Sequence, residues 1–221
     1  MLENYEKILE KSRSRVLGLA EDVLTACTLA FNACREDDLD KASEARAMLK
    51  DAQERNSKID NEIIKTLALF SPEAKDLRVV VSHFKIASEL ARIADYIRTY
   101  AKNVKMQISG EFLLDELKVD TISFEQSTLK SLQAAVDAIN TDSVEALEIL
   151  YRKVNVEESK CNDILSILEK NAIQQICVMP ENAEDFVMFL KSMRKLERIS
   201  DRSVIIVKLT YFAQKGGKLK L

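Results

Sequence analysis

The chain has only 4 glycines and 2 prolines in 221 residues, which leaves few places to turn tightly or to interrupt a helix. The glycines are scattered as Gly18, Gly110, Gly216 and Gly217, so no Gly-rich loop exists to cradle a phosphate. There is no tryptophan and only 6% aromatic residues, which argues against a pocket that stacks rings or bases. The single histidine, His83 in "VVVSHF", has no Glu three residues before it. That excludes the Glu-x-x-His pairs of a bundle-core di-metal site, and without a second histidine no Ser/His/Asp set can be drawn. His83 is expected to be structural. The four cysteines include no CxxC pair; Cys27 and Cys34 stand about 10 Å apart by helical rise, too far to bridge within one helix. They are expected to be reduced core residues, and Cys161 and Cys177 are isolated. A net charge of -3 excludes the concentrated basic surface that nucleic acid needs. No apolar run is read as reaching the roughly 18 residues of a bilayer span, and the start "MLENYEKILEKSRSR" is too charged for a signal peptide. The expectation is a cytoplasmic chain without direct membrane insertion, its basic tail "KGGKLKL" fraying.

What is present is 47% hydrophobic and 31% charged residues, the composition of long amphipathic helices. Leu9, Val16, Val23 and Ala30 recur every seven residues with Ala20, Cys27 and Cys34 offset by four, predicting a first helix with a wide buried stripe. "REDDLD" supplies N-cap residues for a second helix over about 39–69. "SPE" at 71–73 offers an N-cap and a proline at the first position of a third helix, ended by "ISGE" with Gly110. A fourth helix reaches about Ile139. "NTDSVE" carries a capping-box pattern from Asp142 to Glu145 for a fifth, and Pro180 in "VMPENAEDF" opens a sixth. The halves also match without gaps, "FKIASELARIAD" (84–95) against "LKSMRKLERISD" (190–201). The fold predicted is all-α: six long helices in two tandem antiparallel three-helix bundles, residues 1–109 and 110–221, related by a pseudo-twofold.

Within "KLERISDR", Glu197 and Asp201 are four residues apart and share a helix face, where like charges repel by a few tenths of a kcal/mol. A bound cation would reward the pairing; so would Arg194, Arg198 and Lys208 on the same helix, and Asp95 has Arg92, Arg98 and Lys102 similarly placed. The tandem "LARIAD" and "LERISD", each about twenty residues after a proline, together with "SPEAKDLR", resemble the PhoU family of phosphate-uptake regulators. Pro72, Ala74, Asp76, Leu77 and Arg78 fill that family's P-x-A-x-D-L-R pattern. The resemblance covers essentially the whole chain, since "DDLDKASEA" and "NTDSVEALE" sit where the family opens its second and fifth helices.

The resemblance implies a non-catalytic cytoplasmic accessory of phosphate uptake and signalling that contacts a phosphate transporter ATPase or permease and, in bacteria, a sensor kinase. It also implies iron or zinc on E(D)-x-x-x-D pairs, here Glu197 and Asp201, with Asp95, Asp60 and Glu157 as the remaining carboxylates of incomplete pairs. The other positions are Ala91, Asn56 and Cys161, so one pair of four is intact. These acids are expected on one flattened face, flanked by Arg92, Arg198, Asp76 and Arg78 as an interaction surface. Whether the chain forms a homodimer is left open. The alternative is a distant helical relative that serves a non-ABC phosphate carrier or a structural, metal-binding or interaction role.

Overall fold

The computed structural model describes residues 2–70, 72–108 and 115–217. The described residues form seven α-helices and no strand: α1 (Leu2–Glu36), α2 (Leu39–Met48), α3 (Ala52–Phe70), α4 (Ala74–Ile108), α5 (Asp115–Asn140), α6 (Val144–Val178) and α7 (Ala183–Lys215). The first repeat packs α1 against α2, α3 and α4, and the second packs α5 against α6 and α7. Between repeats α4 packs on α7 and α1 on α5. Each of these contacts joins a helix to its own counterpart, which is what a pseudo-twofold requires. The junction at 109/110 and the expected Gly110 turn lie outside the described residues, as do Ser71 and the tail beyond Gly217.

Helix ends follow local chemistry. Asp37 at φ 54° closes α1, with Asp38 N–H donating back to Ala33 O at 3.0 Å. Asp38 then caps α2, its carboxylate accepting from the N–H groups of Asp40 and Lys41. The second helix expected over 39–69 is broken. Lys50 N–H turns back to Ala47 O and Ala52 N–H to Leu49 O, which tightens the chain at 49–51 while burying Leu49 and Ala52. No glycine or proline announces this break. Pro72 is not the first residue of α4: the first helical carbonyl is Glu73's, bonded by Leu77 N–H, so the proline precedes the cap. Pro180 does open a turn, a 3-10 stretch Pro180–Asn182 leading into α7.

Residues 7–36, within α1, are apolar enough over one window to cross a membrane by length and composition, contrary to the expectation from the sequence. Half of that window is buried, because Val16, Leu19, Ala20, Val23, Cys27 and Ala30 form the stripe that α1 turns into the core. The four cysteines are free: Cys27 and Cys161 are buried, Cys34 is partly buried and Cys177 is exposed.

At α6 the cap is Ser143, not Asp142. Its hydroxyl accepts from Ala146 N–H at 3.2 Å, while Asp142 pairs with Arg13 across the repeats at 2.9 Å. Ser143→Ala should therefore cost about 1 kcal/mol in urea unfolding and Asp142→Ala at most about half that. Equal losses would return the capping role to Asp142.

Candidate functional site

The repeats meet along α4 and α7, which run antiparallel. Arg202 Nη1 on α7 donates to Glu89 Oε2 on α4 at 3.0 Å, and Lys195 Nζ on α7 lies 5.4 Å from the ring centre of Tyr96 on α4. In the repeat alignment Glu89 corresponds to Lys195 and Tyr96 to Arg202. The ion pair and the cation–π contact are thus the same crossing seen from either repeat, and Arg202 faces Tyr96, its own counterpart, as well as Glu89. The pseudo-twofold passes by these residues. Farther along the seam, Asn103 donates to Ser192 at 2.8 Å.

Arg92 and Arg198 flank this seam in equivalent, exposed positions. Arg92 donates to Glu89 Oε1 at 3.3 Å, so one carboxylate holds two guanidinium groups. Arg198 stands 3.8 Å from Glu197 and 3.7 Å from Asp201. The like-charged pair of the second repeat therefore shares an arginine. Both acids are still pushed above the usual carboxylate range, first by burial; Asp201 adds to the effect at Glu197, and Glu158 of α6 adds to it at Asp201. Arg194 reaches across to Glu169 of α6 at 2.8 Å.

The first repeat handles the same place differently. Where the second has Glu197, the first has Ala91, buried to 1%. Gln53 of α3 reaches into that position, donating to Asp95 Oδ2 at 2.8 Å and to Ala91 O at 3.4 Å. An amide stands in for the missing carboxylate. Asp60 takes a bond from Asn56 Nδ2 at 3.3 Å, and its other oxygen is buried without a partner; burial raises its pKa. Glu157, 7% exposed, accepts from Lys160 at 2.8 Å and leaves Oε2 unpartnered.

The five acids thus occupy grooves of two different repeats, α3/α4 and α6/α7. No group of three or more His, Cys, Asp or Glu side chains among the described residues converges on a point. Zinc takes about four ligands and iron up to about six, and among the described residues no three of these donors stand together to hold such a cluster.

Of the remaining residues read from sequence, Asp76 lies in the first turn of α4, where an acid suits the helix dipole. Arg78 is half-buried at the other repeat. Gly216, at φ 74°, ends α7, and a Cβ there would come within 3.2 Å of the Arg78 guanidinium carbon. The cation thus lies against the negative end of α7.

The PhoU domain model matches residues 16–104, from within α1 to near the end of α4. Alignment to the phosphate-specific transport system accessory protein PhoU of Edwardsiella tarda gives 28% identity over 94% of this chain and 83% of that protein. The protein of the same name from Escherichia coli K12 is 24% identical over 94% of the chain and 84% of its own length. This chain is similar to PhoU proteins along nearly its whole length, and part of it matches the PhoU domain model. Crystal structures of PhoU from Pseudomonas aeruginosa and of the regulatory protein PhoU from Streptococcus pneumoniae share its fold. Their TM-scores are 0.88 and 0.82 at 22% and 21% identity, over 96% and 98% of this chain and all of theirs.

Two features of this chain escaped sequence reasoning. The first is a buried polar cluster between the repeats: Glu125 of α5, 1% exposed, accepts from the Tyr100 hydroxyl of α4 and from Arg35 Nε of α1 at 3.1 Å. Burial raises the Glu125 pKa although both partners oppose it. The signal for it was present but faint, a lone acid in the otherwise uncharged stretch "TISFEQSTL".

The second is a cleft of about 580 Å³ at the opposite end of the inter-repeat seam, lined by residues of α1, α4, α5, α6 and α7 that include Arg13, Lys75, His83, Asp142 and Gln214. His83, expected to be structural, is 9% exposed, with Nδ1 3.4 Å from the Ser12 hydroxyl. Burial and the nearby Arg13 charge push its pKa down to about 4.

Both features generate tests. Glu125→Ala leaves a buried hydroxyl and a guanidinium without their acceptor and should cost about 3–5 kcal/mol; a loss below about 1 kcal/mol would mean the cluster contributes nothing. The folded state refuses a proton that the unfolded chain takes up at His83 below pH 6.5. Stability from this group is therefore complete above pH 6.5 and is lost as pH falls towards 4, by up to ~3 kcal/mol. Unfolding curves for wild type and His83→Gln should diverge across that window, with the wild type losing more.

Proposed function

We propose that this chain is a non-catalytic regulator of phosphate uptake that acts in the cytoplasm by contact with a phosphate transporter, through its ATPase or permease subunits. The observation that carries this reading is alignment over nearly the whole chain to proteins named as accessories of a phosphate-specific transport system. The physical form suits the role. Two bundles packed through α4 and α7 present related helices twice about a pseudo-twofold, which suits a partner that is itself a pair. The only histidine is buried and held below its ordinary pKa, and the carboxylates near the seam are bonded to arginine, lysine or amide groups. That is the chemistry of a binding surface. We assign no metal to it, because the donors stand in twos. Iron or zinc near one equivalent in untagged protein would reverse that assignment.

The test is genetic and direct. Deleting the gene should alter phosphate uptake measured with labelled phosphate at high external phosphate, and the wild-type chain should restore it. Uptake indistinguishable between deletion and parent strains would end this reading.

A further inference from the structure

Helix α6 is the outermost helix of the second repeat. Among the described residues it touches only α5, α7 and the 3-10 turn Pro180–Asn182, so its far side has no partner within the chain. That side is not simply polar. Ile149, Val156, Ile167 and Val178 are 66%, 54%, 48% and 74% exposed. Their spacings of 7, 11 and 11 residues return each side chain to within about 20° of one line at 100° per residue. Single exposed aliphatics need no explanation, but four on one line along about 44 Å of straight helix form a seam.

The charges beside this seam decide what can cover it. Arg152, Lys153, Lys160 and Lys170 lie within about 60° of the line, against Glu145 and Asp163. Among the described residues, Arg152, Lys153 and Lys170 have no ion-pair partner and Lys160 pairs with Glu157 alone. The chain as a whole is acidic, so this local excess of positive charge runs against its composition. A second copy of α6 would add excess to excess. A lipid surface is a poor match, because the apolar residues are aliphatic, stand about 10–16 Å apart and carry charges between them, with no Trp or Phe to anchor in an interface.

We propose that the outer face of α6 is a docking seam for an acidic amphipathic helix of another protein, its apolar stripe laid on Ile149, Val156, Ile167 and Val178 and its Asp or Glu residues on Arg152, Lys153 and Lys170. This rests on the functional reading above to the extent that the partner helix belongs to the phosphate transporter.

The test uses full-length protein labelled at Cys177, the exposed cysteine of α6, with two synthetic helical peptides carrying leucines at the same spacing, one flanked by Glu and one by Lys. The Glu-flanked peptide should bind at least about tenfold more tightly and weaken as salt rises. Ile149→Gln with Ile167→Gln, and separately Lys153→Glu with Lys170→Glu, should each reduce that binding about tenfold or more with unchanged helical circular dichroism. Equal binding of the two peptides, binding unaffected by the variants, or capture of the wild type by phosphatidylglycerol vesicles with neither peptide bound would overturn the proposal. The same variants are then mixed with the transporter ATPase. Wild-type binding that the variants retain overturns α6 as the site while leaving the functional reading intact. If wild type and variants alike ignore both ATPase and permease, the functional reading fails and the transporter is overturned as the source of the helix.

Discussion

The structure depends on the antiparallel packing of α4 on α7. Each is the last helix of its repeat, and each buries a face along most of its length: Ile86, Leu90, Ile93, Ile97 and Val104 on α4, Met193, Leu196, Ile199, Ile206 and Leu209 on α7. Small residues are interleaved with them, Ala87, Ala94 and Ala101 on one helix and Ser192, Ser200 and Ser203 on the other. The serines bury hydroxyls without penalty because each is bonded, Ser203 to Ile199 O, Ser200 to Ser131 and Ser192 to Met188 O and Asn103. With that seam closed, the remaining helices of each repeat have one open side, and α1 meets α5 on the same principle.

Polar contacts then set the register that apolar packing leaves loose. Glu89 with Arg202 and Lys195 with Tyr96 pin the middle of the seam, Asn103 with Ser192 one side of it, and Arg78 at Gly216 the end. Away from the seam, Arg35, Tyr100 and Glu125 tie α1, α4 and α5 together from both repeats. A cluster of this kind adds little net energy over a well-packed apolar substitute, but losing one member is costly, so it selects one arrangement of the two repeats over its neighbours.

The two repeats differ where the acids lie. The second has Glu197 and Asp201 beside a shared arginine; the first has Ala91 in place of the glutamate, and Gln53 bonds there. The break between α2 and α3 delivers Gln53 to that spot, since it sits one residue inside the new helix. In the second repeat α6 runs unbroken and keeps an outward apolar line that the shorter α3 does not match.

The all-helical class, helix phase, the internal repeat and the family likeness were legible in the sequence, because each is a periodic or local property: a seven-residue recurrence from Leu9 to Ala30, a gap-free match of 84–95 to 190–201, prolines shortly before two helices. The break at 49–51 was not legible as a stop, although Asp51 with Glu54 three residues on has the form of a helix start; burying Leu49 and Ala52 on a common surface decided it. Which acid would be shared, bridged or buried was decided only by tertiary structure. The pattern E-x-x-x-D places two carboxylates on one face and Arg198 beside them on the same helix, but Glu158 near Asp201 and Gln53 at Asp95 come from the angle and register at which separate helices cross. Glu125 shows the same limit: one acid in an uncharged stretch is ambiguous until Tyr100 and Arg35, from two other helices, arrive within bonding distance.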